Sequence, residues 1–354
     1  MLFIGFLFIC NGNLFGQKKQ LNIYTDERIE LLNTIQYLSE YPILNQSDSL
    51  EYKEDIDRYF KKFKNHSAVL LNKNIYRKFL GFDRAVNFIL HYSLPNFELI
   101  TPFTQAELAS LNATTSQDTL KLIVTDFKKF YDESKFNNFY KSKCKFYKSL
   151  RKPIIKELKQ YDVVSKLENY YRIKNNSYNI LISPMLHDGG YGVEIVEKGK
   201  HNYFAVIGPV YDSINKTPVF DTKAILSEYV LHEMSHNFCN PIIDFNWEEL
   251  SKLECLFKPI ESEMKKQAYK TWKTCLYEHL VRANEIVLNE MIFGKEKAEE
   301  LRIDFVNNGK WIYIDDFINI IRNHYLKEQQ KYKTQNEIMP LIIEKLKEQT
   351  KNCH

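Results

Sequence analysis

The sequence predicts an α+β protein that is predominantly helical, with a small, mostly antiparallel sheet. Three observations carry this reading. Over residues 26–170 apolar side chains recur at helical spacing. Over residues 177–208 the texture changes to short runs rich in β-branched and aromatic residues, bounded by Gly and Pro. From Asp221 the pattern is helical again, nearly to the end. A chain of 354 residues, 44% hydrophobic, can bury a sizeable core as one large or two closely packed domains.

The elements follow in order. Residues 2–9 form an apolar run of signal-peptide length, too short to span a bilayer, and the chain turns polar at Gln17. Residues 1–16 are therefore expected to be an export signal cleaved near Gly16, which puts the mature protein in the periplasm, at the cell surface or outside the cell. Cys10 is a less favoured lipid-anchor site, because Ile9 precedes it where a small residue is wanted. No later segment is long and apolar enough to cross a membrane.

In residues 17–176, a helical N-terminal region, Ile29, Leu32, Ile35 and Leu38 mark the first helix, with Asp26 or Thr25 as its N-cap. Further helices are expected at 50–64, 84–92 and 120–131, punctuated by Pro95, Pro102 and Pro153. Strands are expected at 178–186, 189–195 and 203–208. They open a second region, expected over residues 177–325. Residues 326–354 form a C-terminal helical tail, read as a solvated basic helix and not as a membrane or nucleic-acid contact.

Composition excludes more than it selects. The 49 basic and 45 acidic residues leave a net charge of +4, too weak a field to argue for nucleic acid. The 23 Tyr and 24 Phe are core-filling residues. Six cysteines include no C-x-x-C pair, so a cysteine zinc site is not expected. In an exported protein Cys239, Cys255 and Cys275 are candidates for one disulfide near residue 232.

The chemistry concentrates in His232-Glu233-Met234-Ser235-His236. Asp221 or Thr222 caps a helix beginning at Lys223, and Pro241 is expected to end it by Asn240. Histidines four apart on a helix project from one face on successive turns, so both imidazoles can bind one metal ion. Glu233 lies about a hundred degrees further round, beside the metal, where it can hold water. Ile225, Leu226, Tyr229, Val230, Leu231, Met234 and Phe238 surround the helix with apolar groups, which marks it as buried. Two imidazoles and a carboxylate there need a partner, and zinc supplies one. Cys239 and Ile242 stand where an extended metzincin motif needs Gly and His, so that class is excluded.

The third ligand must then be acidic and farther on. Residues 275–287 read as a second helix, with Leu276, Leu280, Ala283 and Val287 on its apolar stripe and Glu278, Arg282 and Glu285 on another face. A carboxylate from a second helix packed under the first is the gluzincin arrangement, a zincin-like core. Glu278 is the preferred ligand, with Glu285, His279 and Asp244 as rivals. The plain alternative is that Glu278 and Arg282 form a surface pair.

These residues resemble a known family. The stretch from Asp26 to Leu32, the Lys64-Asn-His-Ser-Ala-Val stretch, Gly189-Gly-Tyr-Gly, the run from His232 to Pro241 and Glu278-His-Leu-Val-Arg-Ala are similar to secreted bacterial proteins of domain-of-unknown-function family 4932. The likeness covers residues 22–325. It implies a gluzincin-like core with His232, Glu233, His236 and Glu278 in the site, and it implies no substrate.

The expected activity is zinc-dependent hydrolysis of peptide bonds in a peptide or protein substrate. His232, His236 and Glu278 hold Zn2+, and Glu233 is the general base. The strand from Gly189 is expected to offer its edge to an extended substrate, and Glu194 to meet a substrate amino terminus. Tyr191, His279 and Arg282 are candidate transition-state donors. Two alternatives remain: a non-catalytic zinc-binding zincin-like protein acting in binding or structure at the cell envelope, and a helical interaction protein without metal.

Overall fold

The structure is a computed structural model and describes residues 21–45, 51–76, 78, 80–111, 117–211, 218–220 and 225–352. The expected signal peptide, Cys10, Cys353 and the helix caps at Asp221 and Thr222 lie outside the described residues.

A four-stranded sheet forms the middle of the molecule. Its strands are β1 (Leu21–Tyr24), β2 (Ser177–Ile182), β3 (Gly190–Glu197) and β4 (Lys200–Ile207), in the order β1-β2-β4-β3. β1 pairs with β2 and β2 with β4 in parallel, and only β3 runs antiparallel to β4. The sheet is thus mixed, not mostly antiparallel. The tight turn at Lys198 and Gly199 makes the hairpin of this sheet; the strand missed in the sequence, β1, enters from the far N-terminus and can pair only by a long return.

Strand alternation assigns the two faces of the sheet to two cores. Tyr178, Ile180, Ile182, Tyr203, Ala205 and Ile207 face a core that continues through the later helices as far as Leu346. Leu181, Val193, Ile195, Phe204 and Val206 face a second core built from residues 29–147. Helices therefore cover both sides of one sheet, a three-layer solution to burying it. The packing does not divide at residue 176, because Ile154, Leu167 and Tyr171 already belong to the first core. The tail is no free-standing solvated helix either. Met339–Gln349 is helical, and Met339, Ile342, Ile343 and Leu346 are buried in the first core.

Local structure follows the sequence closely elsewhere. Glu27–Leu38 is a helix, and the Asp26 side chain caps it by accepting from the Arg28 N–H. Two prolines expected as breaks lie inside helices instead: Pro153 in Cys144–Leu158 and Pro241 in Leu231–Phe245. Both are partly or fully exposed. Their rings sit on the solvent side, while Ile154 and Ile243 next along each helix stay anchored in the first core. No helix among the described residues is long and apolar enough to cross a membrane.

The expected disulfide does not form. Cys239 and Cys275 are free and buried, and Cys255 is disulfide-bonded to neither of them. Cys239 lies instead between the Tyr171 hydroxyl and the Asn284 amide, and Cys275 against His279, each held inside the first core.

Candidate metal centre

One helix, Leu231–Phe245, carries His232, Glu233 and His236. Its opposite face, Leu231, Met234, Phe238, Cys239 and Ile243, is buried in the first core, which fixes its rotation. Tyr171 locks it further: its ring stacks on Phe238 at 3.9 Å between centroids, and its hydroxyl donates to Ser235 Oγ at 2.6 Å. A second helix, Trp272–Phe293, packs against the first and starts at a capping box made by Thr271 and Thr274. It carries Glu278, Arg282 and Glu285.

Where the two helices meet, one ligand atom each from His232, His236 and Glu278 lie within 4.8 Å of one another. The Glu278 carboxylate reaches both imidazoles, Oε2 at 3.5 Å from His232 Nε2 and Oε1 at 3.4 Å from His236 Nε2. The two Nε2 atoms are 3.2 Å apart. Hydrogen positions follow from the partners. His232 Nδ1 faces Glu285 Oε2 at 2.9 Å and His236 Nδ1 faces Asn240 Oδ1 at 3.2 Å, so each imidazole donates through Nδ1. The Nε2 lone pairs then point at each other and at a carboxylate, an arrangement that repels itself unless a cation stands between.

Charge makes the same demand. Glu233, Glu278 and Glu285 are all buried, at 9%, 7% and 1% exposure, beside one permanent cation, Arg282. Burial pushes the Glu233 carboxyl up to about 7 and raises Glu285 as well, while it drives His232 well below its usual range. Burial also works against the Glu278 carboxylate, but its charged surroundings, with the Arg282 guanidinium at 3.3 Å, outweigh it and hold its pKa below the ordinary value. Glu278 Oε2 has no hydrogen-bond partner despite being buried. Two imidazole lone pairs facing a buried carboxylate fit a divalent ion, and nitrogen with oxygen donors suit zinc.

The family described as a domain of unknown function, DUF4932, matches residues 21–345. The chain belongs to this family. No curated protein and no solved structure matches it.

Around His232, His236 and Glu278 of this DUF4932 chain, the other candidate residues take other places. Glu285 stands behind His232, on the nitrogen that faces away from Glu278. His279 is fully buried among Trp311, Tyr313 and Phe317, with Nδ1 at 2.9 Å from the Cys275 carbonyl; burial lowers its pKa to about 4. Asp244 is exposed and pairs with Lys273 and the Tyr277 hydroxyl. Glu278 and Arg282 do form an i,i+4 pair, at 3.3 Å, but inside the molecule. Arg282 lies over the rings of Phe305 and Trp311 and donates to the Tyr269 hydroxyl at 3.3 Å.

Glu233 faces β3. Its carboxylate lies against Gly192, and a Cβ on Gly192 would lie 2.3 Å from the Glu233 carbonyl oxygen. The glycine is what lets strand and helix touch. Of the other candidate donors, Tyr191 turns its hydroxyl towards His187 Nδ1, 3.4 Å away. Glu194 pairs with His201 at 2.5 Å and lines a cavity next to His236. Two residues went unnoticed in the sequence. Tyr269 sits between helices with no motif around it, and Asp83 comes from the helical half, its charge felt at both Glu233 and His236. Neither has a sequence signal, since only the packing of the layers brings them here.

Proposed function

We propose that this protein is an exported zinc-dependent peptidase. The observation that carries the reading is the convergence of His232, His236 and Glu278 on one point, with Glu233 beside them. A zinc ion held there would supply a Lewis acid for the scissile carbonyl and lower the pKa of water next to it. Glu233 takes the proton of the attacking water and passes it to the departing amine. Burial raises the Glu233 carboxyl above its ordinary range, which strengthens it as a proton acceptor. Glu285 and Asn240 hold the two imidazoles by their Nδ1 atoms, and Arg282 holds Glu278. The disulfide at Cys255 fits an oxidising compartment outside the cytoplasm.

The test is zinc content together with hydrolysis of a peptide library. The purified protein should hold about one zinc per chain, and His232→Ala and Glu278→Ala should lose it. Glu233→Gln should keep the metal and lose turnover by about 10²–10⁴-fold. Metal retained with no hydrolysis by the wild type would leave a zinc-binding protein without catalysis; absence of metal after zinc is supplied would end the reading.

A further inference from the structure

The sheet edge beside Glu233 is open over a very short stretch. Gly208 N–H donates to the Gly189 carbonyl at 2.9 Å, which sets the alternation of the β3–β4 ladder. The backbone groups of Gly190, Gly192, Glu194 and Val196 therefore turn away from β4. Gly192 meets Glu233. Beyond it the edge is already taken: Asn87 Nδ2 donates to the Glu194 carbonyl at 3.5 Å, and Thr101 Oγ1 to the Val196 carbonyl at 2.8 Å. Both come from the helical half, Asn87 from the helix Phe82–Leu90 that packs along β3. An extended chain lying on this edge is stopped two residues past Gly192.

A cavity of about 220 Å³ lies at that stop, next to His236. It is smaller than the roughly 300–1,000 Å³ of a pocket for a drug-sized ligand, so it has room for one or two residues. Asp83, Glu107 and Glu194 line it against a single cation, Arg84. Glu107 and Glu194 are each paired with a histidine, His91 and His201. Among the described residues Asp83 forms no ion pair, and it stands exposed on the wall of the cavity. An ammonium group is attracted to such a wall and a carboxylate is repelled.

We propose that this cavity seats the amino end of a peptide, and that the protein removes one or two residues from that end. The inference rests on the peptidase reading and adds the class of substrate. In the reaction the peptide C–N bond breaks, the hydroxyl of water joins the carbonyl carbon and its proton joins the departing amine.

The experiment incubates the zinc-loaded wild type with a short unstructured peptide, its amino-terminally acetylated form and its head-to-tail cyclised form, and follows products by mass spectrometry. The free peptide should shorten stepwise from the amino end, and the other two should survive. Internal cleavage, shortening from the carboxyl end or equal attack on the acetylated peptide overturns the inference and leaves the peptidase reading standing. No hydrolysis of any form by fully zinc-loaded protein removes both. As a second measurement, Asp83→Asn should keep its zinc and raise KM for the free peptide about tenfold, equivalent to about 1.4 kcal/mol; an unchanged KM removes Asp83 from the amino-end site.

Discussion

At the scale of single residues, the second nitrogen of each histidine decides what the first can do. His232 donates through Nδ1 to Glu285, which fixes the ring and presents Nε2 to the centre. In the proposed centre Glu285 acts as a positioning residue behind His232. Glu285→Gln keeps an acceptor in place and should weaken zinc binding about tenfold, and Glu285→Ala should weaken it by up to about 100-fold, the range seen when such outer partners are removed. Competition with a metal chelator measures this. Equal affinity in the wild type and the alanine variant would mean that the ring is held by packing alone. The ambiguity over Glu285 in the sequence has a simple origin: residues seven apart lie on one helix face, so both Glu278 and Glu285 suit a ligand.

At the scale of elements, the centre depends on one strand touching one helix. A side chain at position 192 would collide with the backbone of Glu233, which cannot move without shifting the motif helix. Gly192→Ala should therefore cost about 1–3 kcal/mol, as overpacking does. Gly190→Ala should cost less, because its Cβ would meet the Val206 carbonyl at 3.1 Å and the flexible end of Glu233 at 3.2 Å. Urea denaturation of the two variants gives the comparison, and the reverse order would show that the strand, not the helix, yields. The helix itself tolerates Pro241 because the proline is exposed while Ile243 remains in the core.

At the scale of the whole molecule, a buried polar network ties the helical half to the sheet. Glu30 is fully buried and accepts from the Tyr52 hydroxyl at 2.7 Å, Asn33 on the same helix donates to Ser183 Oγ at the end of β2 at 2.8 Å, and Tyr52 in turn lies 2.5 Å from the Tyr147 hydroxyl. Burial raises the Glu30 carboxyl from 4.5 to about 7. In the unfolded chain it ionises near 4.5, so the folded state holds the extra proton between these values. Its contribution is complete below about 4.5, falls as pH rises and is lost by about 7, on the order of 3 kcal/mol in all. Glu30→Gln should be more stable than the wild type at pH 8 and should lack that part of the decline. Denaturation midpoints across this window test it, and parallel profiles for the two proteins would show that Glu30 is not the group responsible.

The sequence by itself determined the helical character, the three later strands, a cap at Asp26 or Thr25 and the alignment of His232, Glu233 and His236. It also singled out Glu278. All of these are local: helical and strand periodicities, caps and an i,i+4 spacing are written in neighbouring residues. Only the tertiary structure decided the parallel pairing of β1, the course of the chain through Pro153 and Pro241, and the burial of the C-terminal helix. The same holds for the gathering of Glu278 with His232 and His236, the contact of Gly192 with Glu233, and the arrival of Asp83 and Tyr269 beside them. Each of these joins residues far apart in the chain, and depends on which faces the two cores bury against one sheet.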